Sequence, residues 1–272
     1  MLLAIKKEQM KFNLLIILLS SVFNFSKPDN KEMELSNITK WDKIVLRNEA
    51  KFKNRDDLNY GSSFLIKLDT GIIACTARDF TGTHYTHGEM LKIKDFPNEL
   101  ISWKMYLPNS PSDFVSVKSI ALEERIEKRK FIFYYSRPFL TFSVDQCENS
   151  IKTLEPDVNL IKNKDPVYIV GYGNENKINI VEGVVETWNN SKHAENELRI
   201  RTEQFLNHWN YVGSPIVNKE GKVIGVFNRA YGLKKDKKGR IISDNKNSSN
   251  SYYEYFVNGT TMRLILGKNY GK

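Results

Sequence analysis

Val212-Gly213-Ser214-Pro215-Ile216-Val217, followed by Gly221-Lys222-Val223-Ile224-Gly225-Val226, is the stretch that decides how this chain folds. A Gly-Ser-Pro turn leads straight into an apolar run. A second glycine turn then sends the chain back along another apolar run. Glycine opens φ to positive values and proline fixes its own φ, so the pair marks a sharp backbone bend. The pattern is a tight turn with a strand hairpin behind it.

Working outward, short apolar runs broken by turn residues continue from about Trp41 onward, which predicts an all-β barrel or sandwich. Residues 63–68 and 71–75 flank Asp69-Thr70 as a hairpin. Residues 115–117, 131–135 and 140–144 read as further strands. Residues 155–166 read as an irregular connection between two halves, and strands follow at 167–172, 181–185, 198–201 and 223–227. Residues 234–250 are charged and rich in Asn and Ser, which predicts a long surface loop. Residues 260–266, closed by Gly267, predict a short terminal helix. One other helical period lies at 119–130.

The chain has 272 residues, 40% hydrophobic and 12% aromatic, enough for one large β domain or two small ones with a packed core. Its formal charge is +9, but acids are interspersed among the bases and no Arg-rich helix or RNA-binding signature is present. No nucleic-acid partner is expected. Lys6, Lys7 and Lys11 precede the apolar run 14–19 and then Ser20 and Ser21, the pattern of an export signal. Residues 1–26 are read as this signal or as an N-terminal anchor, and 27–45 as a linker. The run is short for a bilayer span, and no cysteine follows it to carry a lipid. The expected location is exported (periplasmic, secreted or surface-associated), with an uncleaved membrane tether as the alternative. Cys75 and Cys147 could form one disulfide or remain free thiols. Neither has metal-ligand spacing, and no metal or cofactor is expected.

Gly61-Ser62-Ser63-Phe64-Leu65-Ile66, then Gly71-Ile72-Ile73-Ala74-Cys75-Thr76-Ala77, resembles the opening of a trypsin-like serine peptidase domain, which runs Gly-Ser/Thr-Gly-Phe-Leu-Ile and then Thr-Ala-x-His. The segment 139–144 is similar to the strand after the family's aspartate. Val167-Tyr168-Ile169-Val170-Gly171-Tyr172-Gly173 is similar to its second-barrel strand, and the opening turn to its Gly-x-Ser-Gly-Ser/Gly-Pro-Val. The pieces occur in the family's order, over roughly residues 41–266. The resemblance implies two packed antiparallel β-barrels, about 46–154 and 155–266, with a cleft between them and a short C-terminal helix.

The family's chemistry needs a serine, an imidazole to take its proton, and a buried carboxylate to hold the imidazole. On the matching positions the histidine is replaced by Asp79, the aspartate by Pro138 and the serine by Val212. Valine has no oxygen to attack a carbonyl. The glycine whose N–H serves the oxyanion is replaced by Asn210. Losing the nucleophile alone costs such an enzyme about a millionfold in turnover, on the order of 8 kcal/mol of barrier. The resemblance therefore implies an exported pseudo-peptidase with a cleft for a peptide or protein. Asn210, Gly213, Ser214 and His208 are its candidate binding residues.

Two other readings stand beside it. In one, the chain is an active serine endopeptidase with a non-standard nucleophile or base. Ser214 lies two positions from Val212, His84 and His87 could act as a base or bind a metal with Asp79 and Glu89, and His193 sits in another loop. In the other, the chain is a structural surface domain without a groove ligand.

Overall fold

In β1 (Leu46–Phe52), Leu46, Asn48, Ala50 and Phe52 are buried and the residues between them are not. A period of two is what a strand with one covered face requires. The computed structural model describes residues 41–78, 91, 95–121, 139–173, 177–186, 197–243, 251–267 and 270. They fall within one compact unit, Asn37–Lys272.

The first sheet adds β2 (Ser62–Leu68), β3 (Gly71–Ala77), β4 (Leu100–Leu107), β5 (Ser110–Ile120) and β6 (Phe139–Cys147) to β1. A four-residue helix, α1 (Phe96–Glu99), leads into β4. The order is β1-β4-β5-β6-β3-β2, and pairing of β1 with β2 closes the ring, Leu46 standing opposite Ser63. The short β7 (Thr153–Leu154) adds in parallel outside β2. Trp103 and Phe142, with ring centroids 4.7 Å apart, fill the interior beside Phe96 and Phe64.

The second sheet holds β8 (Pro166–Tyr172), β9 (Ile178–Val185), β10 (Glu197–Thr202), β11 (Pro215–Val217), β12 (Val223–Asp236) and β13 (Ser251–Thr261). It closes in the order β10-β13-β12-β11-β8-β9. Two short helices belong to this half: α2 (His208–Tyr211) just before β11, and α3 (Met262–Leu266) after β13. The Thr261 hydroxyl accepts from the Leu264 N–H and so caps α3, where a terminal helix is expected. Two closed six-stranded antiparallel barrels are thus present.

Several expectations need correction. Trp41, Ile44 and Val45, read as the end of a linker, are buried. Their apolar side chains are withdrawn from water, as those of a solvated linker are not. The surface loop expected over 234–250 begins as strand: Lys234, Lys235 and Asp236 face Tyr253, Tyr252 and Ser251 across the β12–β13 ladder. Aromatic–lysine cross-strand pairs sustain that ladder without an apolar core. β1, β4, β7 and β13 add to the strands named from sequence. Cys75 and Cys147 are free thiols, one buried and one half-buried. Cys75 faces Thr141 on β6. Cys147 lies six positions further along that strand, about 20 Å at ~3.3 Å per residue, well beyond disulfide reach.

Residues 131–135, most of 119–130, and the N-terminal run within 1–40 lie outside the described residues. Among the described residues, no helix is long and apolar enough to cross a membrane.

Candidate functional site

The site grows from Gly213. Its φ is +84°, and a Cβ there would lie 2.0 Å from the Ser62 carbonyl oxygen, 2.5 Å from Thr76 Oγ1 and 3.1 Å from the Ala77 nitrogen. No L side chain fits such a place. The turn of the second barrel therefore rests directly on the ends of β2 and β3 of the first.

A buried polar cluster lies beneath the contact. Asn48 Nδ2 donates to the Ser62 carbonyl at 3.0 Å and to Thr76 Oγ1 at 3.4 Å. The Thr76 hydroxyl donates to the same carbonyl at 2.7 Å, and Trp103 Nε1 donates to Asn48 Oδ1 at 3.1 Å. The asparagine's carbonyl and amide are both in use, so the cluster is satisfied and rigid.

Backbone bonds then tie the turn down. Ser62 N–H donates to the Val212 carbonyl at 2.7 Å, and Gly61 N–H to the Trp209 carbonyl at 3.2 Å. The Ser62 hydroxyl donates to the Asn210 carbonyl at 3.2 Å, and Arg47 Nη1 reaches the same oxygen at 3.5 Å. The Arg47 guanidinium also lies 4.8 Å over the Tyr172 ring, whose hydroxyl donates to the Val45 carbonyl at 2.6 Å. Burial pushes the Tyr172 hydroxyl pKa up and the Arg47 pKa down.

The helical turn α2 decides what this arrangement can do. Asn207 caps it, its side-chain oxygen accepting from the Trp209 N–H at 3.1 Å. The Asn210 N–H donates to the Asn207 carbonyl at 3.1 Å, and the Val212 N–H to the His208 carbonyl at 2.8 Å. The resemblance assigns the first of these amides to an oxyanion, and in such sites the nucleophile position's own amide completes the pair; both are spent within the turn. The Gly213 N–H goes to the Phe227 carbonyl at 2.9 Å, and the Ser214 N–H to the Tyr211 carbonyl at 2.8 Å. The cap is the one feature here that sequence could have signalled, because Asn at 207 favours a helix start.

Val212 is 1% exposed and Ser214 fully buried. The Ser214 hydroxyl has no hydrogen-bond partner among the described residues and points toward Gly171, where a Cβ would come within 2.6 Å of it. His208 stands at the first position of α2, its ring 5.1 Å from that of Trp209. Burial first, then the Arg229 charge, push its pKa down. Its Nδ1 is buried and lacks a partner among the described residues, so it does not bond the Ser214 hydroxyl.

Asp79, Pro138, His84, His87, Glu89 and His193 lie outside the described residues. Nearby, Ala77 of β3 and Phe139 of β6 face each other across the ladder. Among the described residues, no group of three His, Cys, Asp or Glu is placed to hold a metal.

The rim of the site is aromatic. Tyr60 and Trp209 meet edge to face at 5.2 Å, and Trp209 is 39% exposed. β12 runs past this rim. Its start pairs with β11 and its far end is covered by the Lys235–Ile241 bridge. Among the described residues, the ladder from Ala230 to Leu233 runs on the β13 side alone.

The crystal structure of the Rv3671c protease from M. tuberculosis in its active form is similar to this chain at a TM-score of 0.51 and 12% identity, covering 89% of this chain and 86% of that one. The fold is that of a trypsin-like serine peptidase. The inactive form of the same protease aligns over 90% of this chain and 98% of that one, at a TM-score of 0.48 and 12% identity. The HtrA-type protease AlgW with a tripeptide aligns at 0.48 and 12% identity, over 85% of this chain and 60% of that one. No protein-family model matches the chain, and no curated protein does. At these identities the likeness is one of fold. The trypsin-like double barrel is shared, and the residues that fill its turn are this chain's own.

Proposed function

We propose that the chain is an exported serine-peptidase homologue that binds an extended peptide or protein segment and does not cleave it. The observation that carries the reading is the spending of the Asn210 and Val212 amides inside α2. A peptidase without a hydroxyl at position 212 lacks its nucleophile. One whose two amides bond within their own turn also lacks the donors that stabilise a developing oxyanion, each worth about 10²–10³ in turnover. The readings that make Ser214 or His208 reactive have little support, since the serine is fully buried and the two groups do not bond each other.

What remains is a strand with one edge unpaired among the described residues. The edge from Ala230 to Leu233, unpaired on one side among the described residues, offers backbone donors and acceptors to an added strand, and the Tyr60–Trp209 pair supplies aromatic surface at the turn. Addition of a strand gives affinity through main-chain bonds and selects side chains at alternate positions. Export rests on the basic-then-apolar N-terminal pattern alone.

Hydrogen exchange of the full chain with fractions of a peptide library tests the binding step. The expected result is slower exchange at residues 230–233 with a subset of fractions, the peptides being recovered intact. Unchanged exchange at those amides with every fraction would instead favour the structural surface domain.

A further inference from the structure

The tip of the β12–β13 hairpin extends beyond the barrel, and its composition differs from that of the groove. Asp236 and Gly239 make a tight turn: Gly239 N–H donates to the Asp236 carbonyl at 2.8 Å, and Asp236 N–H to the Arg240 carbonyl at 3.0 Å. The chain then returns alongside β12, with Lys235 bridged to Ile241 on one side and facing Tyr252 on the other. Opposed residues share a face. Ile241, Lys235 and Tyr252 therefore form a row, with Ile241 66% and Tyr252 44% exposed. On the other face Tyr253, 47% exposed, stacks on Tyr255 at 6.3 Å, and Phe205, 56% exposed, meets Tyr255 at 5.9 Å.

The charge of this tip is one-sided. Of its acids, Asp244 lies outside the described residues and the other two are each held by a basic neighbour: Asp236 accepts from Arg240 Nε and Nη2 at 2.8 Å, and Glu254 pairs with Lys235 at 2.5 Å. Lys237 and Lys238, exposed at the turn, have no acidic partner among the described residues. Exposed tyrosines and an isoleucine beside lysines that have no acidic partner among the described residues match the boundary zone of an anionic bilayer. Tyrosine rings sit there with one end apolar and one wet, and lysines meet the phosphates.

We propose that this hairpin tip docks the protein on an anionic lipid surface, through Lys237 and Lys238 with Ile241 and Tyr252 entering the headgroup layer. The site adjoins the 230–233 edge but uses other residues, and it does not depend on the peptide-binding reading. An exposed isoleucine gains nothing from a nucleic-acid phosphate but is stabilised by leaving water for the acyl boundary. Each basic residue near such a surface strengthens partitioning about fivefold.

The test uses the full chain with Cys147→Ser and an environment-sensitive dye on Ser243→Cys; the buried Cys75 stays unlabelled. The probes are vesicles of phosphatidylglycerol with phosphatidylcholine, and vesicles of phosphatidylcholine alone. The expected result is a blue shift with the anionic vesicles alone, and partitioning weakened about thirtyfold by Lys237→Ser with Lys238→Ser. Lys51→Ser with Lys53→Ser, an equal loss of charge on the first barrel, is expected to change it less than about threefold. Equal losses in the two pairs, or vesicle binding without a dye shift, would overturn the proposal. So would tip variants that lose an RNA oligonucleotide while keeping the vesicles.

Discussion

Gly213 is where the two barrels press on one another. Its positive φ and the 2.0 Å approach of the Ser62 carbonyl leave no room for a methyl group. Gly213→Ala combines a left-handed conformation with overpacking, and is expected to destabilise the chain by about 2–5 kcal/mol in urea unfolding. A loss below about 1 kcal/mol would mean that the barrels separate easily at this point. Gly213 is legible in the sequence, because a glycine before Ser-Pro at a strand entry has a backbone reason to be there. Asn48 is not legible. It occupies an inward position of β1 between Leu46 and Ala50, and an inward asparagine breaks the apolar alternation that marks a strand. Its purpose becomes visible only when Ser62, Thr76 and Trp103 are seen around it.

Among the elements, α2 holds the amides on which the proposed reading rests. A turn of four residues bends the amides of Asn210 and Val212 back on Asn207 and His208. Restoring the three reactive side chains by Asp79→His, Pro138→Asp and Val212→Ser leaves that turn in place, so ester hydrolysis by this triple variant is expected to stay weak. Adding Asn210→Gly removes the Cβ, frees the backbone at this position and leaves a poorer helix former in the turn. Hydrolysis of an activated ester is then expected to rise at least severalfold over the triple variant. An active triple variant with no further gain from the glycine would show that the amides are not limiting. The turn is poorly legible because so short a helix has no hydrophobic period, and its signal is a single asparagine cap. The far end of β12 and the start of β13 escape a sequence reading for a related reason. Beyond the barrel neither face covers a core, so Lys234 to Asp236 and Ser251 to Tyr253 show no alternation.

For the whole molecule, the order of the apolar runs and turns carried most of the architecture. Each barrel strand must cover one face, and that requirement writes itself into the sequence at a period of two. The meeting of the barrels did not show in the same way. It depends on backbone carbonyls at Ser62, Val212 and Asn210, and on one arginine, Arg47, that spans from β1 to the turn. In the resulting body the amides of residues 210 and 212 bond within their own turn, a valine stands at position 212, and residues 230–233 of β12 pair on one side alone among the described residues; the proposed reading takes this body to be without peptidase chemistry. Intact mass spectrometry of the purified full chain after exposure to a fluorophosphonate probe tests this most directly. The account predicts an unchanged mass. A single adduct, abolished by Ser214→Ala, would contradict it.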